Sequence, residues 1–247
     1  MVQTAVITAS GGNHGAVVAN AVRALDMPAE ISAPELTAPT RVARITSYGA
    51  RVVQGAATYA EALAASRARQ AQTDALEVHA YDCPAVLAGQ GTVGREFELD
   101  VPDQTHVLAA AGGGGLIGWI AAWYAGSVAA ISGEPAACPA LHDVLRAGHR
   151  VAPPVGGLAA DSLGARQVGG LMLPIAERYV AGTVQVSDDA IATAQRLLWD
   201  RLRLAAEPGG ATALAAVLSR VFVPPAGTCV GVLVYGANTD PAKVTGP

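Results

Sequence analysis

The chain has 247 residues, 51% apolar and only 15% charged, with a net charge of −4. That is ample material for a core, and no basic run interrupts the sequence, so nucleic-acid binding has no electrostatic support. The three cysteines (Cys83, Cys138, Cys229) lie far apart without zinc-type spacing, no apolar run is long enough to span a bilayer, and no basic leader opens the chain; a reducing, cytoplasmic setting is expected.

In chain order, Ala5-Val6-Ile7-Thr8 reads as a buried strand. It runs into Ser10-Gly11-Gly12-Asn13, and a helix is predicted over residues 14–25. Residues 29–32 read as the next strand. Residues 37–47 read as a helix, with Pro39 tolerated in its first turn. Arg51-Val52-Val53-Gln54 is a strand, residues 58–72 an alanine-rich helix and residues 76–80 another strand. A helix follows Pro84, with Gly89-Gln90-Gly91-Thr92 expected to interrupt it. Val107-Leu108-Ala109-Ala110 is a strand, followed by four consecutive glycines and an apolar helix over residues 116–124. Residues 128–132 form a strand, and the Pro- and Gly-rich residues 150–170 read as irregular. Ser187 caps a helix whose first turn holds Asp188 and Asp189, both favourable at the positive end of its dipole. A last strand is expected over residues 230–235. Strands that alternate with helices and lack tight hairpins predict an α/β fold of parallel sheets covered on both faces, a three-layer αβα arrangement.

Four turns carry the chemistry. Gly112, Gly113, Gly114 and Gly115 lie between an apolar strand and an apolar helix. Such a turn can aim successive N–H groups and a helix dipole at one phosphate, or it can be a plain flexible connection. It matches neither the P-loop nor the dinucleotide spacing. Ser10-Gly11-Gly12-Asn13-His14 offers a second anion cradle at a helix start, or an N-cap with a permissive turn. His14 reads equally as a capping or core histidine. Gly89-Gln90-Gly91-Thr92 is a kink or a close approach, and Gly236-Ala237-Asn238 follows the last strand. Ligands of open α/β sheets gather at the C-terminal ends of strands, where such turns lie.

Taken together, Ala9-Ser10-Gly11-Gly12-Asn13-His14, Ala88-Gly89-Gln90-Gly91-Thr92, Gly112-Gly113-Gly114-Gly115-Leu116, Glu207-Pro208-Gly209-Gly210-Ala211 and Gly236-Ala237-Asn238 occur in an order that resembles the fold-type-II pyridoxal-phosphate (PLP) enzymes, specifically the threonine/serine dehydratase and serine racemase group. Ala160-Asp161-Ser162-Leu163-Gly164-Ala165 resembles a segment of bacterial members. The resemblance covers essentially the whole chain and implies a tryptophan-synthase-β-like fold, with a small domain at about residues 1–85 and the remainder of a large domain at 86–247. It implies that Gly112, Gly113, Gly114 and Gly115 hold the cofactor phosphate, that Asn13 bonds the ring hydroxyl, and that Glu207 and Tyr235 lie near the ring. Ser10, Gly11, His14, Gln90 and Gly91 would bind the substrate carboxylate. The substrate would be a small hydroxy amino acid, and a homodimer is the expected assembly.

The chain departs from the pattern in several places. The family carries its Schiff-base lysine in a Ser-Phe-Lys-like motif ahead of the asparagine turn, whereas the single lysine here is Lys243, beyond the last motif. The resemblance therefore implies an N-terminally truncated chain. Arginine cannot replace that lysine, because guanidinium stays protonated. Tyr235 stands where the family has Ser or Cys facing the pyridine nitrogen. Gly11 stands where racemases have a serine base, which argues against racemisation. Glu134-Pro135 resembles the start of a cation site, but Ala140 replaces its expected aspartate, so no metal is expected. Two readings follow: a PLP-dependent dehydratase whose lysine comes from outside these residues, and a non-catalytic PLP-binding relative with a structural or oligomer role. A generic nucleotide-binding protein explains the glycine turns but not the ordered set of motifs.

Overall fold

Short runs of Val, Ile and Ala alternate with helix-length segments, and the computed structural model assembles them into two four-stranded parallel sheets. It describes residues 5–240 together with Ala242 and Val244; Lys243 lies outside the described residues. Two compact units divide the chain, Met1–Cys83 and Pro84–Pro247.

The first unit runs β1 (Val6–Ala9), α1 (Asn13–Ala24), β2 (Ala29–Pro34), α2 (Pro39–Ser47), β3 (Arg51–Ala56), α3 (Tyr59–Thr73) and β4 (Leu76–Glu77). The strands lie in the order β3-β2-β1-β4, all parallel, with Val6 opposite both Ala29 and Leu76. Every residue of β1 is buried, as befits a central strand covered on both faces. Val18, Val22, Ile31 and Ile45 centre the core under α1 and α2. β3 is an edge strand and shows mostly exposed residues, Arg51 and Gln54 among them. Thr58 caps α3 by accepting from the Glu61 N–H.

The second unit runs α4 (Pro84–Asp100), β5 (His106–Ala110), α5 (Gly115–Tyr124), β6 (Ala129–Pro135), α6 (Ala140–Ala147), α7 (Ala160–Leu163), α8 (Leu173–Tyr179), β7 (Val180–Val186), α9 (Asp188–Leu197), α10 (Pro208–Leu218) and β8 (Val230–Val232). Its strands are also parallel, in the order β7-β6-β5-β8. Side chains of β5 alternate between two cores. Val107 and Ala109 join Leu87, Ile117, Ile120, Leu141 and Met172 on one face. Leu108 and Ala110 join Ile191, Leu198 and the alanines of α10 on the other. Ser187 does cap α9, accepting from the Ala190 N–H.

The interruption expected at residues 89–92 is absent. α4 runs unbroken through them, because Gly91 and Gly94 lie where α5 packs. A Cβ on Gly91 would meet the Trp119 carbonyl oxygen at 3.5 Å, and one on Gly94 the Trp123 Cβ at 3.1 Å. The glycines buy close helix packing in place of a turn. The final strand is shorter than expected, ending at Val232 instead of residue 235. α6, α8, β7 and α10 are elements that the apolar pattern alone did not mark.

Candidate functional site

The strand order of each sheet reverses at one place. In the first unit β1 lies between β2 and β4, and in the second β5 lies between β6 and β8. The connections leaving β1 and β5 therefore lie at the switch points, at the C-terminal ends of these strands, where open α/β sheets take ligands. Those connections are the Ser10-to-Asn13 turn and the four glycines.

In the first unit Ser10 is buried, and its N–H donates to the Ser32 carbonyl at 2.9 Å. Its Oγ accepts from the Gly12 N–H at 3.2 Å. Gly12 is the N-cap of α1, and no side chain caps that helix or places acid in its first turn. Asn13 is the first residue of α1. Gly15 lets the helix start lie close to the sheet, since a Cβ there would meet the Ser10 carbonyl oxygen at 2.9 Å. His14 Nε2 lies 3.0 Å from Thr8 Oγ1 and 2.9 Å from the Val78 carbonyl, and Thr8 Oγ1 donates to the same carbonyl at 2.6 Å. The ring thus bonds β1 to the residue that follows β4, and burial lowers its pKa. A neutral imidazole with Nε2–H donating is the form that fits this neighbourhood.

In the second unit the glycine turn is tightly enclosed. A Cβ on Gly112 would stand 2.9 Å from the Leu163 carbonyl oxygen. Gly113 accepts from the Gly169 N–H at 3.2 Å. Gly114 is left-handed at φ 84° and is the N-cap of α5, whose first turn holds no acidic residue. This is a cradle that side chains would fill, with N–H groups and a dipole end that favour an anion; its chemistry fits a phosphate.

Three further motifs close around it. A Cβ on Gly209 would meet Ser162 Oγ at 2.5 Å, and one on Gly210 would overlap the Tyr235 carbonyl oxygen. Gly236 is left-handed at φ 68°, a Cβ on it would overlap Glu207 Oε1, and its carbonyl accepts from the Glu207 N–H at 2.7 Å. The structure thus brings Gly112, the 160–163 segment, the 207–210 segment and residues 235–236 together. Glu207 is buried, and Tyr235 packs on the α10 side of the sheet. Burial first, and the Glu207 charge second, raise the Tyr235 hydroxyl far above its usual range, so it stays protonated as a donor. Gln90 and Gly91 lie on α4, where Gly91 packs against Trp119 of α5; Gln90 Oε1 and Trp119 Nε1 are each buried without a partner among the described residues.

Glu134 is fully buried at the end of β6 and accepts from the Leu141 and His142 N–H groups at 2.7 and 2.8 Å. Its carboxyl group thereby satisfies the start of α6. Among the described residues no three His, Cys, Asp or Glu side chains gather as metal ligands, and no helix is long and apolar enough to cross a membrane.

A parallel α/β scaffold with a glycine turn at its strand-order switch point, free of acidic residues and fit for an anion, defines a class of ligand-binding α/β protein. Residues 2–233 match the family model of pyridoxal-phosphate dependent enzymes, and the chain belongs to that family. It is 39% identical over 238 residues to an L-threonine ammonia-lyase of Geobacter sulfurreducens, covering 95% of this chain and 59% of that protein. It is 30% identical to a serine racemase of Oryza sativa subsp. indica, covering 95% and 71%. Maize serine racemase superposes with a TM-score of 0.91 at 31% identity, over 97% of this chain and 74% of that one. The chain thus spans about three fifths of the length of the Geobacter relative. The fold-type-II architecture expected from the motifs is the one found.

Proposed function

We propose that these residues form the PLP- and substrate-binding part of an ammonia-lyase that eliminates water from a small hydroxy amino acid, the resulting enamine then being hydrolysed to a 2-oxo acid and ammonia. The observation that carries the reading is the residue 112–115 cradle at the switch point of its sheet. The likeness to an L-threonine ammonia-lyase supports the substrate class.

On the second unit, the N–H groups of Gly112, Gly113, Gly114 and Gly115 would hold the phosphate, and the neutral Tyr235 hydroxyl would donate toward the ring, with Glu207 beneath it. On the first unit, Ser10, Gly11, Asn13 and the α1 start would form the anion-binding turn that takes the substrate carboxylate. Bound PLP supplies an electron sink for the pair released when the substrate α C–H bond breaks. His14 has its Nε2 engaged by Thr8 and Val78 and is read as a positioning residue for the turn.

Within the 247 residues Lys243 is the single lysine, and it follows the last motif. The reading therefore has this chain bind PLP without covalent attachment and without turnover by itself. The same count favours the second reading, a non-catalytic PLP-binding relative. The test is a visible spectrum of the purified chain with PLP before and after borohydride, then intact mass, with L-threonine turnover assayed in parallel. Saturable binding without a reduced adduct is the expected result. Failure to bind PLP sinks the reading altogether. An adduct on Lys243 overturns the non-covalent part, and 2-oxobutanoate production by the chain alone eliminates the non-catalytic reading.

A further inference from the structure

Position 11 has no side chain, yet the space beside it is filled. β1 and β2 run parallel with Ala9 opposite Ser32, so the turns that leave their C-terminal ends stand side by side. The turn after β2 is fixed at two points: the Thr37 N–H donates to the Pro34 carbonyl at 3.0 Å, and the Glu35 N–H donates to the Ala56 carbonyl at 2.8 Å. Pro39 then starts α2 with its backbone already restricted. This geometry sets Thr37 against Gly11. A Cβ on Gly11 would overlap Thr37 Oγ1 and stand 3.0 Å from its Cγ2 and 3.2 Å from its Cβ.

A side chain at 11 would displace the Thr37 hydroxyl from the rotamer it holds here. The hydroxyl of residue 37 occupies the room that a side chain at 11 would take. Thr37 is half-buried and also borders an open groove with Leu36, Pro39 and Val42, so its edge is reachable from solvent. The other hydroxyl of the turn, Ser10 Oγ, already accepts from the Gly12 N–H. A threonine hydroxyl rotates freely about its C–O bond and can donate to a carboxylate oxygen, a charge-assisted bond stronger than a neutral one.

We infer that Thr37 donates its hydroxyl to the carboxylate of the hydroxy amino acid bound at the Ser10-to-His14 turn, standing in for the side chain that position 11 lacks. The inference rests on the substrate reading above and adds a binding residue from a different loop.

The experiment is an amide-detected NMR titration of the full 247-residue chain with L-threonine and with 1-aminopropan-2-ol, which is the same molecule without its carboxylate. The Gly11, Gly12 and Asn13 amides shift with L-threonine and not with the amino alcohol. Thr37→Val, which keeps the volume, weakens L-threonine about tenfold, while Thr37→Ser stays within about threefold of the wild type. The paired change Gly11→Ser with Thr37→Ala moves the hydroxyl to the other turn and recovers most of the affinity, whereas Gly11→Ser alone lowers the melting temperature. This pair keeps the test decisive if Thr37→Val loses its fold. Undiminished L-threonine binding by Thr37→Val overturns the inference and leaves the substrate reading standing. If the wild-type amides of residues 11–13 do not respond to L-threonine, the substrate reading falls and the inference with it.

Discussion

Glu134 sits at the end of β6 with its carboxyl buried against the first turn of α6, where two backbone N–H groups reach it. Burial outweighs those donors and pushes its pKa up to about 8 from an ordinary 4.5. The folded chain therefore holds a proton that the unfolded chain releases between those two values. Stability from this group is whole below the window and declines as pH rises through it. The urea midpoint of the wild type is expected to fall between about pH 5 and about pH 8.5, and that of Glu134→Gln to fall less. The variant starts lower, since an amide accepts at one oxygen only and leaves one N–H of α6 unpaired, a loss of about 1 kcal/mol. Parallel pH curves for the two proteins would contradict the assignment. Gly112 makes a second prediction at this scale. Gly112→Ala drives a methyl onto the Leu163 carbonyl, so a loss of about 1–3 kcal/mol is expected in urea unfolding. The rise in melting temperature on adding inorganic phosphate should shrink with it, and an unchanged rise would remove this turn from the phosphate site.

Two of the three glycines of α4, Gly89 and Gly91, have opposite surroundings. A Cβ on Gly89 meets nothing within 4 Å, so Gly89→Ala is expected to stabilise by about 1 kcal/mol through helix propensity alone. Gly91 faces the Trp119 backbone, so Gly91→Leu is expected to lose about 1–3 kcal/mol by overpacking. Urea midpoints of the two variants check both signs. The pair also shows where sequence reading stops. The cost of glycine in a helix is visible in the sequence, but the tryptophan against which Gly91 packs lies far along the chain. The strands β1, β2, β5 and β6 were legible because buried parallel strands are short apolar runs bounded by turns. β7 was not, because Gly182, Thr183 and Gln185 break its apolar pattern, and α8 is a seven-residue helix with Pro174 in its first turn. The site divides the same way. Asn13 and residues 112–115 announce themselves as strand-to-helix turns, whereas the packing of Gly209 on Ser162, of Gly210 on Tyr235 and of Thr37 on Gly11 joins residues remote in sequence.

Each sheet has its own core and its own strand-to-helix turn at the switch point, and this organises the behaviour of the whole chain. The second unit buries both faces of β5 and β6 under helices, with Ile117, Ile120, Leu141, Ile191 and Leu198 fully enclosed. The first has a smaller core and a largely exposed edge strand in β3. Free energies of local opening follow buried apolar contact, so amides of β1 and β2 should exchange with solvent faster than those of β5 and β6. Phosphate supplies the sharper test. A ligand that binds only the native form of one cooperative unit slows exchange in that unit, and phosphate at about ten times its Kd slows it about tenfold. Inorganic phosphate should therefore protect β5 and β6 and leave β1 and β2 unchanged, as read by native-state hydrogen exchange. Equal protection of all four strands would mean that the chain opens as a single cooperative unit, and the division near Cys83 would then describe its contacts without describing its energetics.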